Sequence, residues 1–403
     1  MADVLIAGGG IAGSALAIML GRAGLTVELF ERDRFPREKA CGEGLMPGGL
    51  AVLERLGLAD TIGGVPFYGV RYFAGSLVAE GRFPTVAGIP ASGRGQRRCH
   101  LDHTLFAAAA ATTGVTACES TPVEAPLWEG GRVAGLVVAG RPRRAPLVVA
   151  ADGARSRLRC QLGLDGRPPR RWRVGMRMHF RLAPSRTQPP WVEVFLGRHH
   201  ELYVTPLPDG EILVASLAER SCIEGKAETA YERWIAEQPV LRMRLAGAER
   251  SSRLRGMAPL GIRARSGVAF GIVLLGDAAG ALDPITGGGM AQALLTAELL
   301  AGYVIRHWAT GNGWLWEYDR ARRALLWDER VLTQFVLGLA AHPWLARQTL
   351  RLLNATPALF SHLVGIAGGI GGISACGGAA LSSRPSDIKR RGRAESTSDM
   401  HGQ

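Results

Sequence analysis

Residues 3–32, DVLIAGGGIAGSALAIMLGRAGLTVELFER, leave few folds open to the chain. The apolar run Val4–Ala7 reads as a buried strand, a glycine turn follows, and an alanine-rich helix then leads into a second strand, VELF. Gly8, Gly10 and Gly13 fit Gly-x-Gly-x-x-Gly, with Ala12 in the same turn, and each glycine has its own task. Gly8 allows the tight turn, Gly10 lets a pyrophosphate approach the backbone, and Gly13 lets the helix pack on the sheet. The helix N-terminus presents free amides and a positive dipole end to phosphates. Glu31 and Arg32 follow the second strand, where a carboxylate accepts hydrogen bonds from a ribose. The turn predicts a bound dinucleotide without choosing between NAD and FAD.

Two later strand ends make that choice. APLVVAADGARSRLR (145–159) is an apolar strand ending in Asp152–Gly153, and GIVLLGDAAGALDPITGGGMAQAL (271–294) is a third, ending in Gly276–Asp277. Both put an aspartate beside a glycine at a strand's carboxyl end, where open α/β sheets bind ligands. Asp277 is placed for the ribityl chain or a ribose. Pro284, Gly287, Gly288, Gly289 and Met290 then open a helix whose amides face the far end of a cofactor. In this order the motifs resemble the FAD-dependent monooxygenases of the group A type, in the superfamily of geranylgeranyl reductases and flavin-dependent halogenases. RCHLDHTLFAAAA (98–110) fits as well, since that family begins a helix here with an arginine and places an aspartate four residues on. The resemblance covers residues 3–370. It implies FAD as cofactor, Arg98 beside the flavin or its phosphates, and NADH or NADPH as electron donor docking near Asp152–Arg159, because no second Gly-x-Gly-x-x-Gly follows a strand.

The expected architecture is α/β: a Rossmann-like FAD-binding domain of the glutathione reductase 2 (GR2) type, an inserted antiparallel β-sheet substrate domain, and C-terminal helices. The FAD-binding part takes residues 1–64, 97–165 and 256–310; the substrate domain takes 65–96 and 166–255. Strands are read at 171–184, 191–197, 201–210 and 211–219, separated by proline or Asp-Gly turns. Residues 311–375 form a helical region, in which 358–369 is a packed helix or an interfacial segment, and 376–403 form a polar disordered tail.

Composition bounds the partners. The formal charge of +13 is carried almost wholly by arginines spread along 403 residues, with lysine only at 39, 226 and 389. No aromatic-basic motif accompanies them, which excludes nucleic acid as the expected partner. The scattered cysteines hold no metal-ligand spacing, so no metal is expected and a reducing, cytoplasmic setting is. The apolar N-terminus lacks the basic region of a signal peptide. No stretch reads as a membrane span, although peripheral membrane contact is an open possibility, as are a monomer and a homodimer.

Residues 39–58, KACGEGLMPGGLAVLERLGL, carry the remaining chemistry. Reductases of the superfamily share a Cys-Gly-x-Gly segment approaching the flavin ring. Gly42 and Gly44 let the backbone come close to a planar ring. Cys41 donates a proton or fills a small apolar space, and Glu43 orients a ring edge or a substrate; these two are the catalytic candidates. His179, His199, His200 and Tyr203 lie in the substrate sheet, and none is assigned as a base. Halogenation is not expected: no lysine lies between 39 and 226, and Trp314–Trp316 falls among the C-terminal helices. Tyr203-Val-Thr-Pro206 lacks the tryptophan of the prenyl-reductase pattern. The resemblance therefore implies hydroxylation of a hydrophobic aromatic or polyketide-like molecule by molecular oxygen through a flavin C4a-hydroperoxide, with reduction of isoprenoid double bonds as the alternative.

Overall fold

The computed structural model describes residues 1–370 apart from 170 and 312, so the tail expected at 376–403 lies outside the described residues, as do 371–375. The elements that position the site are β1 (Val4–Ala7), α1 (Ile11–Arg22), β2 (Val27–Phe30), α2 (Pro47–Arg55), β3 (Gly69–Ala74), β4 (Leu77–Arg82), α3 (Arg98–Ala110) and β5 (Val115–Cys118). Then come β6 (Leu147–Ala150), β7 (Arg173–Arg181), β8 (Val192–Leu196), β9 (His200–Pro206), β10 (Glu211–Glu219) and β11 (Ile272–Leu274). The C-terminal helices are α4 (Gly289–His307), α5 (Leu315–Leu325), α6 (Trp327–Ala340), α7 (Pro343–Ala355) and α8 (Pro357–Ala367).

Five parallel strands form one sheet in the order β5, β2, β1, β6, β11, and Val268–Ala269 adds an antiparallel edge. β1 and β6 are buried at every position: helices cover one face of the sheet, and Val133, Leu136 and Val138 of an antiparallel strand pack on the other. α1 packs against this sheet and against α3 and α4. Its alanines allow close approach, while Leu16, Ile18 and Leu20 are fully buried and each contributes about 1.5–3 kcal/mol.

The second sheet is a wall of β7, β10, β9, β8, β3 and β4 in that order, with Glu249–Arg250 and Arg255–Met257 pairing β7. β8 and β3 pair in parallel, so a segment near residue 70 shares a sheet with segments beyond residue 170. Behind the wall, Met176, Met178 and Phe180 pack with Tyr231 and Trp234 of the helix Ala227–Ala236. A three-stranded antiparallel sheet, Val123–Glu129, Arg132–Val138 and Arg141–Arg144, has no counterpart in the sequence reading.

The segment 358–369 resolves toward packing. Phe360 and Val364 of α8 are buried against β4, where Gly81 permits the approach: a Cβ there would stand 2.6 Å from Val364 Cγ2. The Gly368 carbonyl accepts from the Gly48 amide at 2.7 Å, fixing the end of α8 to the start of α2. Outward, α6 exposes Trp327, Val331 and Phe335 at four-residue spacing, and α7 exposes Trp344 and Leu352. Among the described residues no helix is long and apolar enough to cross a membrane.

Candidate active site

A cleft runs between the carboxyl ends of the parallel sheet and the inner face of the wall. One side is lined by Gly10, Ala12, Gly153, Gly276, Asp277 and the 287–290 turn, the other by wall residues such as Val192, Tyr203 and Leu217. The loop 39–44 forms its rim, with Arg98 beneath.

The glycine turn is built from inside. Gly8 has φ +109°, and a Cβ on it would lie 2.3 Å from the Ala151 carbonyl oxygen; a Cβ on Gly13 would lie 2.0 Å from the Gly8 oxygen. Gly10 differs: a Cβ there meets nothing nearer than the tip of Arg37, at 3.6 Å. Gly42 and Gly289 likewise have no atom within 4 Å of a Cβ. Internal packing does not require glycine at these three places, which line one cleft. No side chain caps α1 or α4, so their first amides are free to meet an anion.

Asp152 accepts from the Leu158 amide through Oδ2, at 3.3 Å, while its buried Oδ1 has no hydrogen-bond partner among the described residues. Arg159 is buried and held by Asp165 (2.7 Å) and by the carbonyls of Ala154 and Ala278, so it braces the Asp-Gly motif against the Gly-Asp turn. Arg155 and Arg157 are exposed. Asp277 pairs with Lys39 across the cleft at 3.6 Å. Glu31 is buried behind the turn, accepting from the Gly9 amide at 2.8 Å and lying 3.7 Å from Arg37. Arg32 is exposed, with its Nε 3.7 Å from Asp33.

Arg98 is clamped by Asp102 through two hydrogen bonds of 2.9 Å and lies against Cys41. Burial acts to lower the pKa of its guanidinium, but Asp102 and Cys41 outweigh this and leave it raised, a fixed cation under the cleft. Cys41 is half-buried, packs against the core and accepts from the Glu43 amide at 3.4 Å.

Both carboxylate oxygens of Glu43 have partners in the protein. Oε1 accepts from the Arg98 amide at 3.1 Å, and Oε2 meets His179 Nε2 at 2.7 Å, with both side chains fully buried. His179 Nδ1 faces Arg177 (3.0 Å) and Arg97 (3.2 Å), which only donate. Nδ1 therefore accepts, and Nε2 carries the proton given to Glu43. Sequence reasoning left His179 unassigned. The signal was the alternation in RVGMRMHFR, whose odd positions 173, 177, 179 and 181 are basic. Such a face normally meets solvent; here its first three basic residues are buried against the loop and the cleft.

A second buried cluster lies farther along the wall. Arg173 binds Asp283 and Glu201, each at 2.6 Å. Burial pushes the Glu201 carboxyl up to about 7 against the pull of Arg173, with Asp283 adding to the rise. Asp283 in turn accepts from the Ile285 amide at 3.1 Å and starts the Pro284–Thr286 turn that delivers the glycines of α4.

A parallel sheet with a glycine-lined cleft at its carboxyl edge, roofed by an antiparallel wall, defines a two-sheet dinucleotide-binding oxidoreductase. The family described as FAD binding domain matches residues 1–329, and the chain belongs to it. The chain is thus an FAD-dependent oxidoreductase of the monooxygenase and reductase kind. It is 30% identical to a menaquinone reductase of Mycolicibacterium smegmatis over 74% of this chain and 75% of that protein. It is also 30% identical to a squalene epoxidase of Schizosaccharomyces pombe, over 75% of this chain and 69% of that protein. Its fold matches a flavoprotein/dehydrogenase from Cytophaga hutchinsonii with a TM-score of 0.81 at 21% identity, covering 91% and 92% of the two chains.

FAD fits the residues present. The room left at Gly10, Gly42 and Gly289, the uncapped helix ends and the unpartnered Asp152 Oδ1 suit a dinucleotide lying along the cleft.

Proposed function

We propose that the chain is a monooxygenase that takes electrons from NADH or NADPH and inserts one atom of molecular oxygen into a hydrophobic aromatic or polyketide-like molecule. The observation that carries this reading is the pairing of the two cleft sides. The glycine-lined side suits the cofactor, and the side opposite offers Val192, Ala215, Leu217, Met257 and Leu260 to an apolar molecule. In this reading the flavin supplies hydride acceptance and oxygen activation. The chain's own residues do the rest: Gly10, Gly289 and Met290 give amides to phosphates and ring, Asp152 and Asp277 accept from hydroxyls, Arg98 holds a positive charge, and the wall excludes water. Arg155 and Arg157, exposed beside Asp152–Gly153, suit the phosphates of a donor that docks and leaves.

A second reading, reduction of an isoprenoid double bond, is favoured by the menaquinone reductase likeness. The squalene epoxidase likeness supports oxygenation and, equally, a long apolar substrate. Purified protein with FAD, NADPH and a candidate substrate separates the two. Oxygen uptake with a product gaining one oxygen atom supports the first reading. A product gaining two hydrogen atoms without oxygen supports the second, and bleaching of the flavin by neither nucleotide overturns both. The substrate's apolar character also motivates a peripheral membrane contact through the exposed aromatics of α6 and α7.

A further inference from the structure

The loop 38–44 leaves the FAD-binding part of the chain, yet its strongest side-chain ties run to the wall. Glu38 pairs with Arg177 of β7, and the Lys39 carbonyl accepts from the same guanidinium at 3.3 Å. The Gly42 carbonyl accepts from Thr205 Oγ1 of β9 at 2.8 Å. Glu43 holds His179 at 2.7 Å, and its φ of +56° is a left-handed conformation that a glutamate adopts only when its surroundings impose it. His179 is oriented in turn by Ser252 (2.9 Å), Arg177 and Arg97. Of the six successive loop residues 38–43, four are thus gripped from the opposite side of the cleft, and the ungripped pair is Ala40 and Cys41.

We propose that His179 is a positioning residue, the wall's anchor for the Cys41–Gly42 segment, which sets how closely that backbone approaches the flavin ring. The inference rests on the flavoprotein reading only for its consequence, since the grip itself is a property of the chain. Removing the imidazole leaves Glu43 holding Arg98 alone, with one oxygen buried and unpaired. The strained φ then relaxes and Cys41 loses the Glu43 amide that covers its sulfur.

The test measures alkylation of Cys41 by iodoacetamide, mapped by mass spectrometry, in apoprotein and FAD-loaded protein, together with the midpoint potential of the bound flavin. His179→Ala is expected to speed Cys41 labelling at least about tenfold, equivalent to about 1.4 kcal/mol of lost hold, and to shift the flavin's potential and visible spectrum. His179→Gln, whose amide can still donate to Glu43, is expected to restore most of both. Thr205→Val, nearly isosteric, removes the other tie and is expected to speed labelling in the same direction, which keeps the test open if His179→Ala fails to fold. Labelling at the wild-type rate in the His179→Ala apoprotein, or in Thr205→Val where that variant fails to fold, overturns the proposal. Wild-type protein that never binds FAD overturns the flavoprotein reading instead, while the apoprotein labelling still decides the anchor.

Discussion

Replacing Gly10 by alanine separates folding from cofactor binding at one backbone atom. Gly10 has φ −76° and ψ −172°, values that any residue adopts, and a Cβ there would find only Arg37, at an ordinary 3.6 Å. Folding therefore has nothing to lose. The less flexible unfolded chain adds about 0.4–1 kcal/mol of stability to the apoprotein. Binding does have something to lose, because the new methyl occupies the surface over which the pyrophosphate passes. One added methyl in a closely packed contact costs about 1–3 kcal/mol, and at 1.4 kcal/mol per tenfold this weakens FAD binding roughly 5- to 140-fold. Titrating apoprotein with FAD, followed by quenching of flavin fluorescence, gives the dissociation constant; urea unfolding of the same apoprotein gives the stability. Unchanged affinity would refute the placement of the pyrophosphate, and a large loss of apoprotein stability would refute the claim that Gly10 is spared for a ligand.

Gly13→Ala is expected to behave in the opposite way, losing at least about 3 kcal/mol of apoprotein stability, because its Cβ would sit 2.0 Å from a backbone oxygen that has nowhere to go; urea midpoints check it. Glu329, buried against Gly288, gives a pH signature. Burial pushes its carboxyl from 4.5 up to about 7, against hydrogen bonds from Gln292 and Thr286. The folded chain then holds a proton that the unfolded chain has released, so stability falls as pH rises from about 4.5 to about 7 and levels off above. Glu329→Gln is expected to flatten that fall, leaving the share due to Glu201, and identical urea midpoints against pH in both proteins would sink the assignment. Trp327→Glu with Phe335→Glu is expected to abolish co-sedimentation of the protein with anionic phosphatidylserine vesicles while leaving FAD content unchanged; undiminished sedimentation clears α6 of that role.

The first strand-turn-helix unit was legible because its information is local: period, glycine spacing and an acid at the next strand's end all fall within residues 3–32. The strands of the wall were legible for the same reason, through alternation and turn residues, to within a few residues of Arg173–Arg181, Val192–Leu196, His200–Pro206 and Glu211–Glu219. What sits across the cleft was not. The contact of Glu43 with His179 joins positions 136 apart in the chain, and no spacing rule reaches that far. The alternation of β7 exposed a basic face correctly but not its fate, since burial of arginines depends on finding Glu38, Glu43, Glu201 and Asp283 on other elements.

The parallel pairing of β8 with β3 has a bearing on how the chain is made. The hairpin of β3 and β4 leaves the ribosome long before the strand it must pair with at 192–196, and β1 waits for β6 and β6 for β11 at 272–274. The two sheets are interleaved along the chain, so neither finishes as an early, self-contained product of synthesis. No cut before residue 274 leaves a fragment with the central sheet complete. Folding is consequently a late event with high contact order, during which apolar strand edges stay unpaired. A lineage carrying this topology depends on keeping the nascent chain from aggregating, and substitutions that slow the closing of β3 on β8 would lower yield in the cell without touching the finished enzyme.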